Sequence, residues 1–113
     1  MKKHVVCVSW IPTLAISREL LLTHAGCRVT SILGETGLRK LPEISEVDLL
    51  VLAHSVPRER KQWAITTFKQ YSEAPVLSLL EPNQQKLPQA DFGVEAMNPE
   101  RVLQVVQEIL SQN

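Results

Sequence analysis

The sequence predicts an α/β domain in which a five-stranded parallel sheet lies between two layers of helices. Three observations predict it. First, Asp48 is followed by the apolar run Leu49-Leu50-Val51-Leu52, which turns small and polar at Ala53-His54-Ser55 and stops at Pro57. A run so short and so continuously apolar fits a strand buried on both faces of a parallel sheet better than a buried helix segment, which needs more residues. Second, His4–Ser9 repeats that pattern near the start of the chain. Third, strand-like runs alternate with helix-like ones along the whole length, and this alternation produces parallel βαβ units.

The first strand is His4 to Ser9. Pro12 and Thr13 then open a helix, a position where proline is tolerated. Leu14, Leu21, Leu22 and Ala25 recur near helical spacing in it, and Gly26 stops it, since a residue there often needs positive φ. The second strand, Cys27 to Ile32, carries Arg28, Thr30 and Ser31 and suits a sheet edge. Gly34 and Gly37 bracket a turn, with a short helix over Glu35 to Leu41 limited by Pro42. The central strand runs from Asp48 to His54.

Arg58-Glu59-Arg60-Lys61 is expected to be a charged, solvated helix start, and Trp63, Ala64, Thr67, Phe68 and Tyr71 the apolar face of that helix. These aromatics are read as core packing rather than a ligand box. Pro75 to Leu80 is the fourth strand. Glu81 to Gln89 holds Pro82 and Pro88 and little periodicity, so it is a loop or a single turn. Phe92 to Ala96 is a short fifth strand. Asn98-Pro99-Glu100 supplies an N-cap, a proline at the first helical position and an acid in the first turn. Val102, Val105, Val106, Ile109 and Leu110 form the buried stripe of the last helix. Right-handed crossovers with five strands leave few topologies, and the flavodoxin-like order 2-1-3-4-5 places the two most apolar strands side by side in the centre.

Bulk properties bound the function. The 113 residues make one domain, and 44% apolar residues is ordinary for a globular protein. Twelve basic and twelve acidic residues cancel, which leaves no electrostatic footprint for nucleic acid or an anionic membrane. No apolar run approaches the roughly 18 residues of a membrane span. Met1-Lys2-Lys3-His4 before Val5-Val6-Cys7-Val8 imitates a signal peptide, but Trp10-Ile11-Pro12 interrupts it, so the expectation is a cytoplasmic protein. Cys7 and Cys27 form no C-x-x-C or zinc pattern and are expected to be reduced, buried thiols.

Four segments carry a resemblance to a known family: His24-Ala25-Gly26-Cys27-Arg28-Val29-Thr30, Asp48-Leu49-Leu50-Val51-Leu52, Ala74-Pro75-Val76-Leu77, and Asn98-Pro99-Glu100 leading into the final helix. The chain resembles a response-regulator receiver domain (CheY-like) over nearly all its length. These are signatures of fold rather than of chemistry. The resemblance implies an acidic pair ending the first strand that helps hold Mg²⁺, and it falls on Ser9 and Trp10. The phospho-accepting aspartate that ends the third strand falls on Ala53. The hydroxyl residue ending the fourth falls on Leu80, and the lysine ending the fifth on Glu95. The proline just past the acceptor is kept as Pro57.

Every chemical position thus departs from the family's pattern. The Ala53 methyl cannot act as a nucleophile, Trp10 has no oxygen for Mg²⁺, Leu80 cannot hydrogen-bond a phosphoryl group, and Glu95 would repel one. The resemblance therefore implies a pseudo-receiver without catalysis, metal or cofactor. Its partner would be another signalling protein or a second copy of itself, in bacterial two-component signalling. The former pocket is expected to be a plugged, mostly apolar spot of Trp10, Ala53 and Leu80, with Glu95 on its rim.

Family members also fit a full helix between the fourth and fifth strands, where this chain has only residues 81–91; that helix is expected to be shortened or missing. Its loss either uncovers apolar surface for a partner around Leu87, Phe92, Val94, Val102 and Val106, or leaves Leu87 and the loop to cover the gap. A phosphoacceptor or phosphocarrier using Cys7 or His54 is the rival reading. Trp10, Ile11 and Pro12 are bulky or donor-poor for cradling phosphate, and Cys7 sits inside its strand, where a thiol is inert. A cysteine phosphatase pattern fails because Thr13 stands where an arginine is needed. His54 lacks an Asp, Glu or second His nearby in sequence and is expected to face the surface or a loop. Four glycines, none in a G-x-G-x-x-G, argue against a flavin or nucleotide site.

Overall fold

The computed structural model describes residues 2–112; Met1, part of the leader-like start, and Asn113 lie outside the described residues. Among the described residues the chain forms β1 (His4–Ser9), α1 (Pro12–His24), β2 (Arg28–Leu33), α2 (Gly34–Leu38), a 3₁₀ turn (Leu41–Glu43), β3 (Leu49–Leu52), α3 (Arg58–Lys69), β4 (Val76–Leu80), β5 (Phe92–Glu95) and α4 (Pro99–Ser111). All five strands are parallel, in the order β2-β1-β3-β4-β5. The predicted architecture is the one observed, with β1 and β3 paired at the centre through Val5–Leu49, Val6–Leu50, Cys7–Val51 and Val8–Leu52.

Two-residue periodicity sorts the strands' side chains into two cores. Val6, Val8, Leu50, Leu52 and Val76 face Leu38, Leu41, Ala64, Ile65 and Phe68 from α2, the 3₁₀ turn and α3. Val5, Cys7, Leu49, Val51, Leu77 and Leu79 face Leu22 of α1 and the stripe Val102, Val105, Val106, Ile109 and Leu110 of α4. Each fully buried aliphatic side chain contributes about 1.5–3 kcal/mol to this packing.

Helix ends follow local chemistry. The amide N–H groups of Ala25, Gly26 and Cys27 donate to the carbonyls of Leu21, Thr23 and Leu22, with Gly26 at φ +94° making the reversal that a side chain would strain. Asn98 Oδ1 accepts from the Arg101 amide at 3.1 Å and caps α4, a bond worth about 1 kcal/mol.

The connection from β4 to β5 contains turns and no helix, as its prolines predict. Leu87 and Ala90 are buried in the α2/α3 core, where they close the gap a helix would have filled. Lys86 Nζ donates to the carbonyls of Leu87 and Ala90 at 3.2 and 2.8 Å. Asp91 accepts from the Val76 amide and from Lys69 Nζ, both at 2.8 Å. Among the described residues no helix is long and apolar enough to cross a membrane.

Several details depart from the sequence expectations. The helix expected over Glu35 to Leu41 ends at Leu38, and the 3₁₀ turn replaces its last part. α3 ends at Lys69, so Tyr71 lies beyond it, largely exposed, with its hydroxyl donating to the Leu41 carbonyl at 2.8 Å and its ring edge-on to Phe68. Ile65, absent from the expected apolar face, is buried in its core. His4 is a buried core histidine: its Nε2 hydrogen-bonds Thr30 Oγ1 at 2.7 Å and its backbone N–H donates to Asp48 Oδ2 at 2.7 Å.

Candidate functional site

In an open parallel sheet, chemistry collects at the carboxyl ends of the strands, because the loops that begin the helices converge there. Here that edge runs from β2 to β5 through Ser9-Trp10, Ala53-His54-Ser55, Leu80 and Glu95. The Ala53 amide donates to the Val8 carbonyl at 2.9 Å, which seats Ala53 beside Ser9, while Leu80 pairs with Glu95 on the neighbouring strands. The first three predicted positions, Ser9, Trp10 and Ala53, therefore lie together. Leu80 lies farther along the edge and Glu95 on the outermost strand, where it is exposed.

Ser9 and Ala53 are buried. Ser9 Oγ lies 3.3 Å from Ser55 Oγ and accepts from the Ile11 amide at 3.1 Å; Ser55 Oγ accepts from the Trp10 amide at 2.9 Å. The loop after β1 is thus fastened to the loop after β3 by hydroxyl bonds beside Ala53. Trp10 packs half-buried against the α2/α3 core. The expected apolar plug is only partly apolar, since two serine hydroxyls bind its centre.

Lys61 corrects a second expectation. It is not solvated: it is 2% exposed, and its Nζ donates to Ser78 Oγ at 2.9 Å and to the Leu79 carbonyl at 2.8 Å. Burial draws its pKa down to about 8, with Glu81 opposing the shift and Arg58 adding to it. The signal was in the sequence: Lys61, Ala64, Ile65 and Phe68 occupy i, i+3, i+4 and i+7, the buried stripe of α3.

His54 also differs from a surface residue. It is half-buried, and its Nδ1 is buried without a hydrogen-bond partner. Burial lowers its pKa, and the positive charges of Arg18 and Lys61 add to that against Glu81. Cys7 and Cys27 are free thiols, both buried. Burial pushes the Cys7 thiol up to about 12, so almost none of it is thiolate near neutral pH.

The expected partner surface is corrected too. Leu87, Val102 and Val106 are buried, and Phe92 and Val94 are half-buried against the α1/α4 core. Large apolar side chains are instead exposed at Ile16 and Leu20 on α1, at Leu33, and at Met97 before α4. Among the described residues no group of three or more His, Cys, Asp or Glu side chains is placed to hold a metal ion.

No protein-family model matches the chain, and no curated protein matches it in sequence. Solved structures do match. The N-terminal domain of a response regulator/sensory box/GGDEF three-domain protein from Carboxydothermus hydrogenoformans superposes with a TM-score of 0.80 at 17% identity, over 97% of this chain and 95% of that one. A CheY-like response regulator receiver domain protein from Methanospirillum hungatei gives 0.77 at 17% identity, over 99% and 96%. The response regulator TrrA from Thermotoga maritima, solved in complex with Mg²⁺ and BeF, gives 0.76 at 17% identity, over 95% and 98%. With sheet order, strand pairing and nearly full-length superposition in agreement, the chain has the fold of the response-regulator receiver domains.

Proposed function

We propose that this chain is a receiver-like domain that neither accepts a phosphoryl group nor catalyses a reaction, and that it acts by binding a signalling protein or a second copy of itself. The observation that carries this reading is Ala53: at the tip of β3 a buried methyl group stands where phosphoryl transfer needs a nucleophilic carboxylate. The neighbouring donors support it. Mg²⁺ demands hard oxygen ligands in near-octahedral geometry, and charged carboxylates supply them best. Ser9 and Ser55 offer neutral hydroxyls already engaged with each other and with backbone amides, and the Trp10 and Ala53 side chains have no oxygen. The donor set does not fit Mg²⁺. Lys61, the buried cation of α3, spends two of its donors on Ser78 and Leu79.

The test is intact-mass measurement after incubation with acetyl phosphate and Mg²⁺. The expected result is no phosphoryl adduct. A stoichiometric adduct refutes the reading, and lability in acid together with stability in alkali would assign it to His54 rather than to a carboxylate. Sedimentation at several concentrations separates self-association from binding to a different protein.

A further inference from the structure

The one half-buried guanidinium that makes no hydrogen bond or ion pair among the described residues belongs to Arg18, and its Nη1 is fully buried. Arg18 sits on the stripe of α1 that also carries Leu14 and Leu21, at i, i+4 and i+7. Burial lowers its pKa, and the nearby Cys7 offers only a neutral thiol in return. A guanidinium nitrogen held out of water without a partner is a costly arrangement, because its donors go uncompensated.

Arg18 is not packed into solid core. It lines a cleft of about 110 Å³ between α1 and the start of α4, whose other walls are Leu14, Ser17, Leu21, Ala96, Pro99 and Val102. Apart from Ser17, whose hydroxyl donates to the Thr13 carbonyl at 3.0 Å, those walls are apolar, with no carboxylate among them. A ligand that fits must therefore bring its own anion and cover the apolar walls with its body. A dry apolar cavity of roughly 150 Å³ accepts benzene. A space somewhat smaller than that takes a branched aliphatic body of about four carbons or a single ring seated partly at the mouth. Phosphate or sulfate alone would leave the leucine and valine walls bare, and a nucleotide is far too large.

We infer that the α1/α4 cleft binds a small amphipathic carboxylate, its body against Leu14, Leu21 and Val102 and its carboxylate on the Arg18 guanidinium, whose forked donors match two carboxylate oxygens. The cleft lies between α1 and the start of α4, just beyond the carboxyl end of β5, and the Arg18 charge that would hold the carboxylate is also felt by His54.

Nuclear magnetic resonance titration of the full chain tests this, with sodium isovalerate and sodium benzoate as probes, isovaleramide and benzamide as uncharged controls, and constant ionic strength. The expected result is saturable shifts of the Leu14, Leu21 and Val102 methyl signals with the carboxylates, and binding weaker by about tenfold or more for the amides. Arg18→Gln should remove the preference for carboxylate over amide, and Arg18→Lys should keep part of it. Absence of saturable shifts in the wild-type chain overturns the proposal, as do equal affinities for acid and amide. The acid–amide comparison uses only the wild-type chain and stands even if a variant fails to fold.

Discussion

Replacing Lys61 with methionine tests the account of the interior ammonium directly. Methionine keeps most of the length and volume of the lysine stem and removes the charge. Burial draws the lysine in the folded chain down to about 8, from its ordinary value of 10.5. The folded pKa is depressed, so the unfolded chain binds the proton more tightly. Above the unfolded value both states are neutral at this position and there is no penalty. As pH falls from about 10.5 to 8 the unfolded state gains a proton that the folded state does not, and stability is lost. At 1.36 kcal/mol per pKa unit the separation corresponds to about 3 kcal/mol. The difference in unfolding free energy between wild type and Lys61→Met should therefore shift by about 3 kcal/mol in favour of the wild type between pH 7.5 and pH 10.5. Urea unfolding of both proteins at several pH values measures it, and every other titrating group cancels in the difference. A difference that stays flat to within about 0.5 kcal/mol would refute the reasoning.

Two further outcomes follow from burial. Leu87→Ala should cost about 2–5 kcal/mol, because the side chain is buried in the α2/α3 core; an unchanged urea midpoint would mean the connection lies loosely on the sheet. Cys7 should react with a disulfide reagent at pH 8 at least about a thousandfold more slowly in the folded chain than in urea, since only the rare opened molecules expose it; rapid labelling of folded protein would show that its strand opens locally.

The sequence made the strands legible because a parallel sheet buried on both faces demands continuous apolar runs, and Val5-Val6-Cys7-Val8 and Leu49-Leu50-Val51-Leu52 have few alternatives. The missing helix was legible for the opposite reason: Pro82 and Pro88 forbid it locally. What covered the gap was not, since nothing local to Leu87 says whether a loop residue folds inward; only the sheet's empty face decides that. Lys61 stands in a run with the charged Arg58, Glu59 and Arg60, whose composition signals a solvated face. Its place on the 61-64-65-68 stripe was visible, but the pair of oxygens that makes burial tolerable comes from β4, on a different element. The same holds for Ser55, whose hydroxyl matters only because folding brings the Trp10 amide to it from 45 residues away.

The helix-free return from β4 to β5 has a geometric consequence. The chain leaves the sheet at Leu80 and must come back to the other end of β4, where Leu77 pairs with Phe92. Along the strand that return is about 10 Å, with one strand spacing of about 5 Å to the side. Residues 81–91 wound entirely as α-helix would advance about 16 Å, enough for the return but leaving no residue for the two corners that lift the chain off the sheet and set it back. Drawn out, the same residues reach about 36 Å. The extended route therefore carries slack, and the tip around Asn83, Gln84 and Gln85 is where the chain should accept shortening without moving either strand.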